Sequence, residues 1–197
     1  MANRLWKRLK AKKQLWLSLF IAVIMVFSAF GVIFYGFADS SDIYRYNGYK
    51  FTPTTTGLLV KVQGKQFVVG SLPQDLVSIN LSTAVANQLR QVKMLYLTYD
   101  PNSTSVQDIA AVEFQLKSDL ANLGIYAAPA FTKTNEFNLP VITCLNATQF
   151  VPVIEFRDAN KTSAAFDNGC IVLNAAYLDD FSRLKDRLLL GMLGVMN

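Results

Sequence analysis

Side chains able to do chemistry are sparse in this sequence of 197 residues, which contains no histidine. That absence removes the commonest general base and metal ligand, and it excludes Ser-His-Asp and Cys-His catalysis outright. What remains is Ser182-Arg183-Leu184-Lys185, an S-x-x-K spacing in which one helical turn can bring a hydroxyl beside an amine. Its S-D-N and K-T-G companions are missing. The pair therefore reads as part of the solvated face of a terminal helix, with Asp179, Asp180, Arg183, Asp186 and Arg187. A zinc site would need Cys144 and Cys170 plus carboxylates, and no C-x-x-C or comparable spacing supports one. Asp100, Asn102, Thr104 and Asp108 fall at oxygen-ligand positions of an EF-hand-like loop. There, however, Ser105 replaces the turn glycine and Ala111 the bidentate acid, so a helix cap explains them better. Neither G-x-G-x-x-G nor a P-loop occurs. No catalytic residue, metal ligand set or cofactor is expected.

Cys144 and Cys170 form an even pair and are expected to be disulfide-bonded if the segment faces an oxidising compartment; the alternative is two buried thiols. A bridge there would restrict the unfolded chain by about 3 to 4 kcal/mol in the entropy model. Four N-x-S/T sequons begin at Asn80, Asn102, Asn146 and Asn160. Asn102 and Asn160, in evident turns, are the expected acceptors, whereas apolar flanks argue against Asn80 and Asn146.

Charge and hydropathy give the topology. All six basic residues before position 39 (Arg4, Lys7, Arg8, Lys10, Lys12 and Lys13) precede an uncharged run from Leu15 to Ala38, leaving 13 basic against 14 acidic residues beyond it. The net charge of +5 and isoelectric point near 9.2 thus belong to the tail, and the body has no footprint for nucleic acid. As a helix the uncharged run would reach about 36 Å, enough to cross a hydrocarbon core of about 30 Å. The expected organisation is a basic cytoplasmic tail (1–14), a transmembrane helix (15–38), a stalk (39–47) and an extracytoplasmic domain (48–197), held in the cell membrane by the bilayer. A cleaved signal, with Gly36 and Ala38 before the cut, and a buried core helix are the rival readings.

The body is expected to be an α/β or α+β domain with a mixed sheet. Gly57 to Val69 alternates around Gln63-Gly64 as a hairpin. Leu81 to Gln91 reads as a weak helix, and Lys93 to Tyr99 as a strand. A helix follows over Val106 to Leu123, capped by a Ser105/Asp108 box and by Gly124, then a strand over Gly124 to Phe131. This strand, helix and strand favour parallel pairing. Further apolar segments cover Val141 to Leu145 and Phe150 to Phe156, with a loop at Lys161 to Ala165 and a strand Cys170 to Asn174 entered through Asn168-Gly169. A last helix, Leu178 to Met192, aligns Phe181, Leu184, Leu188 and Met192, and the apolar Leu188 to Met196 reads as core, with a partner or membrane surface as the alternative.

The βαβ unit followed by Val151 to Phe156, a second strand and a terminal helix resembles the end of a thioredoxin-type fold. Asp100-Pro101-Asn102-Ser103 stands where that fold carries its C-x-x-C, so the resemblance implies no redox activity. The anchor, stalk, Gly169-Cys170-Ile171 strand and Lys185-Asp186-Arg187-Leu188-Leu189 helix together resemble uncharacterised single-pass membrane proteins of archaea, which implies no activity either. Type IV pilin-like subunits share the layout, but Ala11-Lys12-Lys13-Gln14 offers neither their cleavage site nor their carboxylate. The expected function is a non-enzymatic module that binds or scaffolds another envelope protein. The alternatives are an envelope enzyme using Ser182 and Lys185 or the cysteines, and a pilin-like assembly subunit.

Overall fold

The computed structural model describes Trp16, residues 18–28 and residues 43–196 of the chain, which divides into two units, residues 1–42 and 43–197. In the first unit Trp16 and residues 18–28 are helical, with exposed apolar side chains such as Phe20 and Phe27. No helix among the described residues is long and apolar enough to cross a membrane. The span expected over 15–38 runs beyond the described residues at both ends, and the tail 1–14 lies outside them.

The second unit begins with an antiparallel sheet in the order β1-β2-β3-β4, formed by β1 Tyr44–Tyr46, β2 Tyr49–Thr54, β3 Gly57–Val62 and β4 Lys65–Val69. Its outer hairpins turn on Asn47-Gly48 (φ 46° and 81°) and Gln63-Gly64 (φ 50° and 80°), two-residue links whose twist matches that of the flanking strands. The second of these is the expected hairpin. The first is a finding, because the end of the expected stalk is strand: Tyr44 to Tyr46 pair with β2, and a domain boundary at Gly48 would fall inside a turn. Phe51, Val60, Val62, Phe67 and Val69 turn to the core, while Lys61, Lys65 and Gln66 face solvent.

A 3-10 turn (Pro73–Leu76) and α1 (Thr83–Leu89) lead into a mixed sheet, β6-β5-β7-β9-β8. Its strands are β5 Met94–Tyr99, β6 Tyr126–Phe131, β7 Val153–Asp158, β8 Ser163–Asp167 and β9 Cys170–Ala175. Only β8 runs antiparallel to its neighbour. The loop expected at Lys161 to Ala165 is therefore mostly strand, since Asn168-Gly169 (φ 47° and 86°) folds β8 back on β9 as a hairpin. Pro129 is accommodated because β6 is an edge strand.

Helix α2 (Val106–Leu123) buries Ile109, Val112, Leu116 and Leu120 and ends at Gly124 in the left-handed conformation (φ 82°), as its spacing predicts. The Ser105 capping box does not form: the Ser105 hydroxyl instead donates to Asp158 at 2.6 Å, a charge-assisted bond stronger than a cap to a neutral amide. The apolar segment Val141 to Leu145 forms no strand. Val141 makes one bridge to Phe131, and Cys144–Asn146 is a 3-10 turn closed by Thr143 and Asn146.

The largest departure concerns α3 (Leu178–Met192). Its apolar stripe is buried as expected, and Leu188 to Leu190 are fully enclosed, but so is much of its charged side: Asp180, Lys185, Asp186 and Arg187 are each no more than 4% exposed, while Asp179 is exposed and Ser182 and Arg183 are half-buried as the expected wet face requires. A helix buried beyond its apolar stripe packs against several neighbours, here β9, α2, α1 and the Pro73–Leu76 turn. Each buried charge has partners. Asp186 Oδ2 accepts the amides of Gly70 and Ser71, both at 2.9 Å, and its Oδ1 lies 2.8 Å from Lys185 Nζ. Arg187 donates to the carbonyls of Ile79 at 3.0 Å and Leu81 at 3.3 Å.

Asp186→Ala would strand a buried ammonium and two amides at once. The expected loss is about 3 to 5 kcal/mol, read as a fall in urea midpoint, with Asp186→Asn intermediate because it keeps an acceptor.

Candidate functional site

Three places collect polar side chains. The first is a cleft of about 490 Å³ between α2, α3 and the end of β4, lined by Ser118, Asp119, Ser182, Lys185 and Asp186 among others. The fold does bring Ser182 and Lys185 to one cleft, but Lys185 is ion-paired to Asp186 and donates to Gln115 Oε1 at 3.4 Å, so its amine is engaged by those two side chains rather than by the Ser182 hydroxyl. Burial pushes Asp119 up to about 6, opposed by Lys185 and reinforced by Asp186. A protonatable acid, an ion pair and a hydroxyl can hydrogen-bond a polar ligand; they do not make a nucleophile.

The second place is the carboxyl edge of the parallel strands. Because β6 and β7 flank β5 on opposite sides, the connections leave the ends of β5 and β7 in opposite directions, which is where open α/β sheets form a crevice. Asp100 and Asp158 sit at those ends. Both are spoken for: Asp158 accepts Ser103 at 2.5 Å and Ser105 at 2.6 Å, and Asp100 takes the amide of Asn102 at 2.9 Å and Lys133 Nζ at 2.6 Å. The Lys133 hydrogen bond holds the Asp100 carboxyl below the usual range. An ammonium thus lies against the first oxygen of the EF-hand-like series, and the whole cluster acts as a loop lock.

The third place lies at the opposite edge of the same sheet. Cys170 opens β9 and is disulfide-bonded to Cys144, with Cα atoms 5.1 Å apart, so the expected bridge is present. It pins residues 132–152, which return from the end of β6 to the start of β7. That segment is also held by Thr98 Oγ1 donating to Ile142 O at 2.8 Å and by Tyr96 N to Pro152 O at 3.0 Å. Gly169 is needed on two counts, since beyond its positive φ an added Cβ would lie 2.6 Å from Thr148 O. Register places Glu155 of β7 opposite Thr98 and Val172, on the face the segment covers. It is 5% exposed, Arg157 Nε meets its Oε1 at 2.5 Å, and its Oε2 lies 3.2 Å from Cys144 Sγ. The thioredoxin comparison puts its dithiol at Asp100 to Ser103; both cysteines are at the other end of the strands.

All four sequon asparagines are exposed, including Asn80, because alternation buries Ile79 and Leu81 while turning Asn80 outward. Asn146 is exposed too, but its Oδ1 accepts Thr143 N at 2.9 Å. The sequence offered no signal for Glu155, Asp119 or Asp186, which are ordinary acids until the fold buries them.

Comparison of the chain with protein-family models, with curated proteins and with solved structures returned no match.

Glu113 of α2 is 9% exposed, and its Oε1 has no hydrogen-bond partner. Burial pushes it up to about 7, with Lys117 pulling the other way. A folded value above the ordinary carboxylate range means that the native state binds the extra proton, so stability falls as pH rises from about 4.5 through 7. Glu113→Gln is expected to flatten that decline and to raise stability at pH 8 by about 1 to 3 kcal/mol, measured by urea denaturation at pH 5 and pH 8.

Proposed function

We propose that this chain is a single-pass, membrane-anchored protein whose mixed α/β domain lies outside the cell membrane and binds another envelope protein. The reading is carried by the segment pinned through Cys144 and Cys170, which holds Phe137, Leu145 and Phe150 in solvent at 73%, 95% and 85% exposure. Large apolar side chains displayed on a cross-linked backbone lose little entropy when they are covered, which favours association. An exposed body agrees with a disulfide, with sequon asparagines at the surface, and with six cations ahead of an uncharged run of membrane-spanning length. The likeness to single-pass archaeal proteins has the same layout.

The binding reading is tested in the native membrane by placing a photo-crosslinking residue at Leu145 or Phe150, and at Lys117 of α2 as a control. One dominant adduct from the first two positions and none from Lys117 is expected; equal labelling at all three would remove the partner surface. Protease treatment of intact cells, followed by non-reducing mass spectrometry, should release the Cys144–Cys170 linked peptide, and a protected body with free thiols would reverse the topology.

The enzyme alternative makes its own claim. A fluorophosphonate probe is expected to leave Ser182 unlabelled, since Lys185 is engaged by Asp186; labelling abolished by Ser182→Ala would restore a hydrolase.

A further inference from the structure

Glu155 presents a chemical mismatch. It is 95% buried, Arg157 occupies Oε1, and Oε2 points at a sulfur 3.2 Å away that is part of a disulfide and so has no proton to donate. A buried carboxylate oxygen aimed at a group unable to donate is costly. The mismatch disappears when the bridge is reduced, because Cys144 and Cys170 then supply either S–H donors or thiolate ligands beside the same oxygen.

The geometry points to a redox-gated site for a thiophilic divalent cation, with Zn2+ the natural occupant, formed by the two reduced cysteines and Glu155. One donor atom from each of the three residues already lies within 4.8 Å of the other two. Tetrahedral zinc with Zn–S bonds of about 2.3 Å needs its ligand atoms roughly 3.5 to 4 Å apart, so the sulfurs must separate and the carboxylate must stay near. Cys144 is half-buried on a 3-10 turn and free to rotate its thiol once released, whereas Cys170 is 2% exposed on β9 and fixed. Solvent on the Cys144 side supplies the fourth ligand as water. Charge also closes: two thiolates and a carboxylate around a dication leave one negative charge, and the guanidinium of Arg157 neutralises it while orienting the carboxylate.

The step balances with a dithiol as reductant. Its two thiols become a disulfide, two electrons and two protons pass to the Cys144–Cys170 bond, and that bond breaks to two thiols. Zn2+ then displaces both protons on binding. A disulfide oxidant reverses the sequence: it takes two electrons and two protons to become two thiols, the Cys144–Cys170 bond re-forms, and the metal leaves.

The test uses the full chain, reduced with dithiothreitol, freed of reductant under anaerobic conditions and titrated with Cd2+ and then Zn2+. A thiolate-to-metal charge-transfer band saturating at one Cd2+ per chain, lowered only by a large excess of Zn2+ and missing in the oxidised protein, is the expected result. Glu155→Gln should weaken binding at least tenfold, and Cys144→Ser should abolish the band. Equal affinity in Glu155→Gln, or no band in protein with two titratable thiols, overturns the site. Should the variants fail to fold, the wild type still decides. One equivalent of Zn2+ must protect both cysteines from iodoacetamide and raise the melting temperature of the reduced chain; unprotected thiols overturn the proposal.

Discussion

The domain depends on the carboxylate of Asp186. It is wholly buried at the centre of α3, takes two backbone amides from the chain leaving β4, and neutralises the adjacent Lys185. One side chain thereby fixes the exit of the antiparallel sheet to the helix that packs on the mixed sheet. Without it, the amides of Gly70 and Ser71 would lose their acceptor and the chain leaving β4 its tie to α3. Arg187, one position on, does the complementary work for the carbonyls of Ile79 and Leu81. The loops that join the two sheets are therefore held by charges inside the protein, where low dielectric strengthens every satisfied bond.

This arrangement explains where sequence reading succeeded and where it failed. Period-two and helical spacing located β3, β4 and α2, and the glycines marked their ends, because those elements have one wet face and one dry one, whereas β5, with no exposed residue, was legible as an apolar run. Helix α3 was located as well, but its charged side was assigned to solvent. Asp180, Lys185, Asp186 and Arg187 fall where an amphipathic helix would be wet, and only tertiary packing reveals that they serve the backbone of distant loops. The same blindness hid β8, whose residues are mostly exposed and owe their strand to the Asn168-Gly169 turn. The Tyr44 to Tyr46 strand was lost in the polar run that precedes it.

Legibility of the chemistry follows a similar line. The two cysteines were read correctly as a pair, from their even count and an expected oxidising context. Their third neighbour could not be read, because Glu155 is eleven residues from Cys144 and reaches it only through the path of residues 132–152 over the sheet. Ser182 and Lys185 show the converse: the spacing was visible, and the fold placed both on one cleft while giving the amine to Asp186. Sequence proximity proposes encounters, and burial decides which of them can do chemistry.

The position of α3 in the chain has a consequence for biogenesis. The helix at the heart of the core is built from residues 178–192, and the core is completed by Val195 and Met196. During synthesis, some 130 residues of strand and helix must therefore wait, with apolar faces uncovered, until the last turn of this segment emerges. Neither sheet can mature alone while the ribosome still holds α3. The domain therefore commits to its final shape only after α3 has been made.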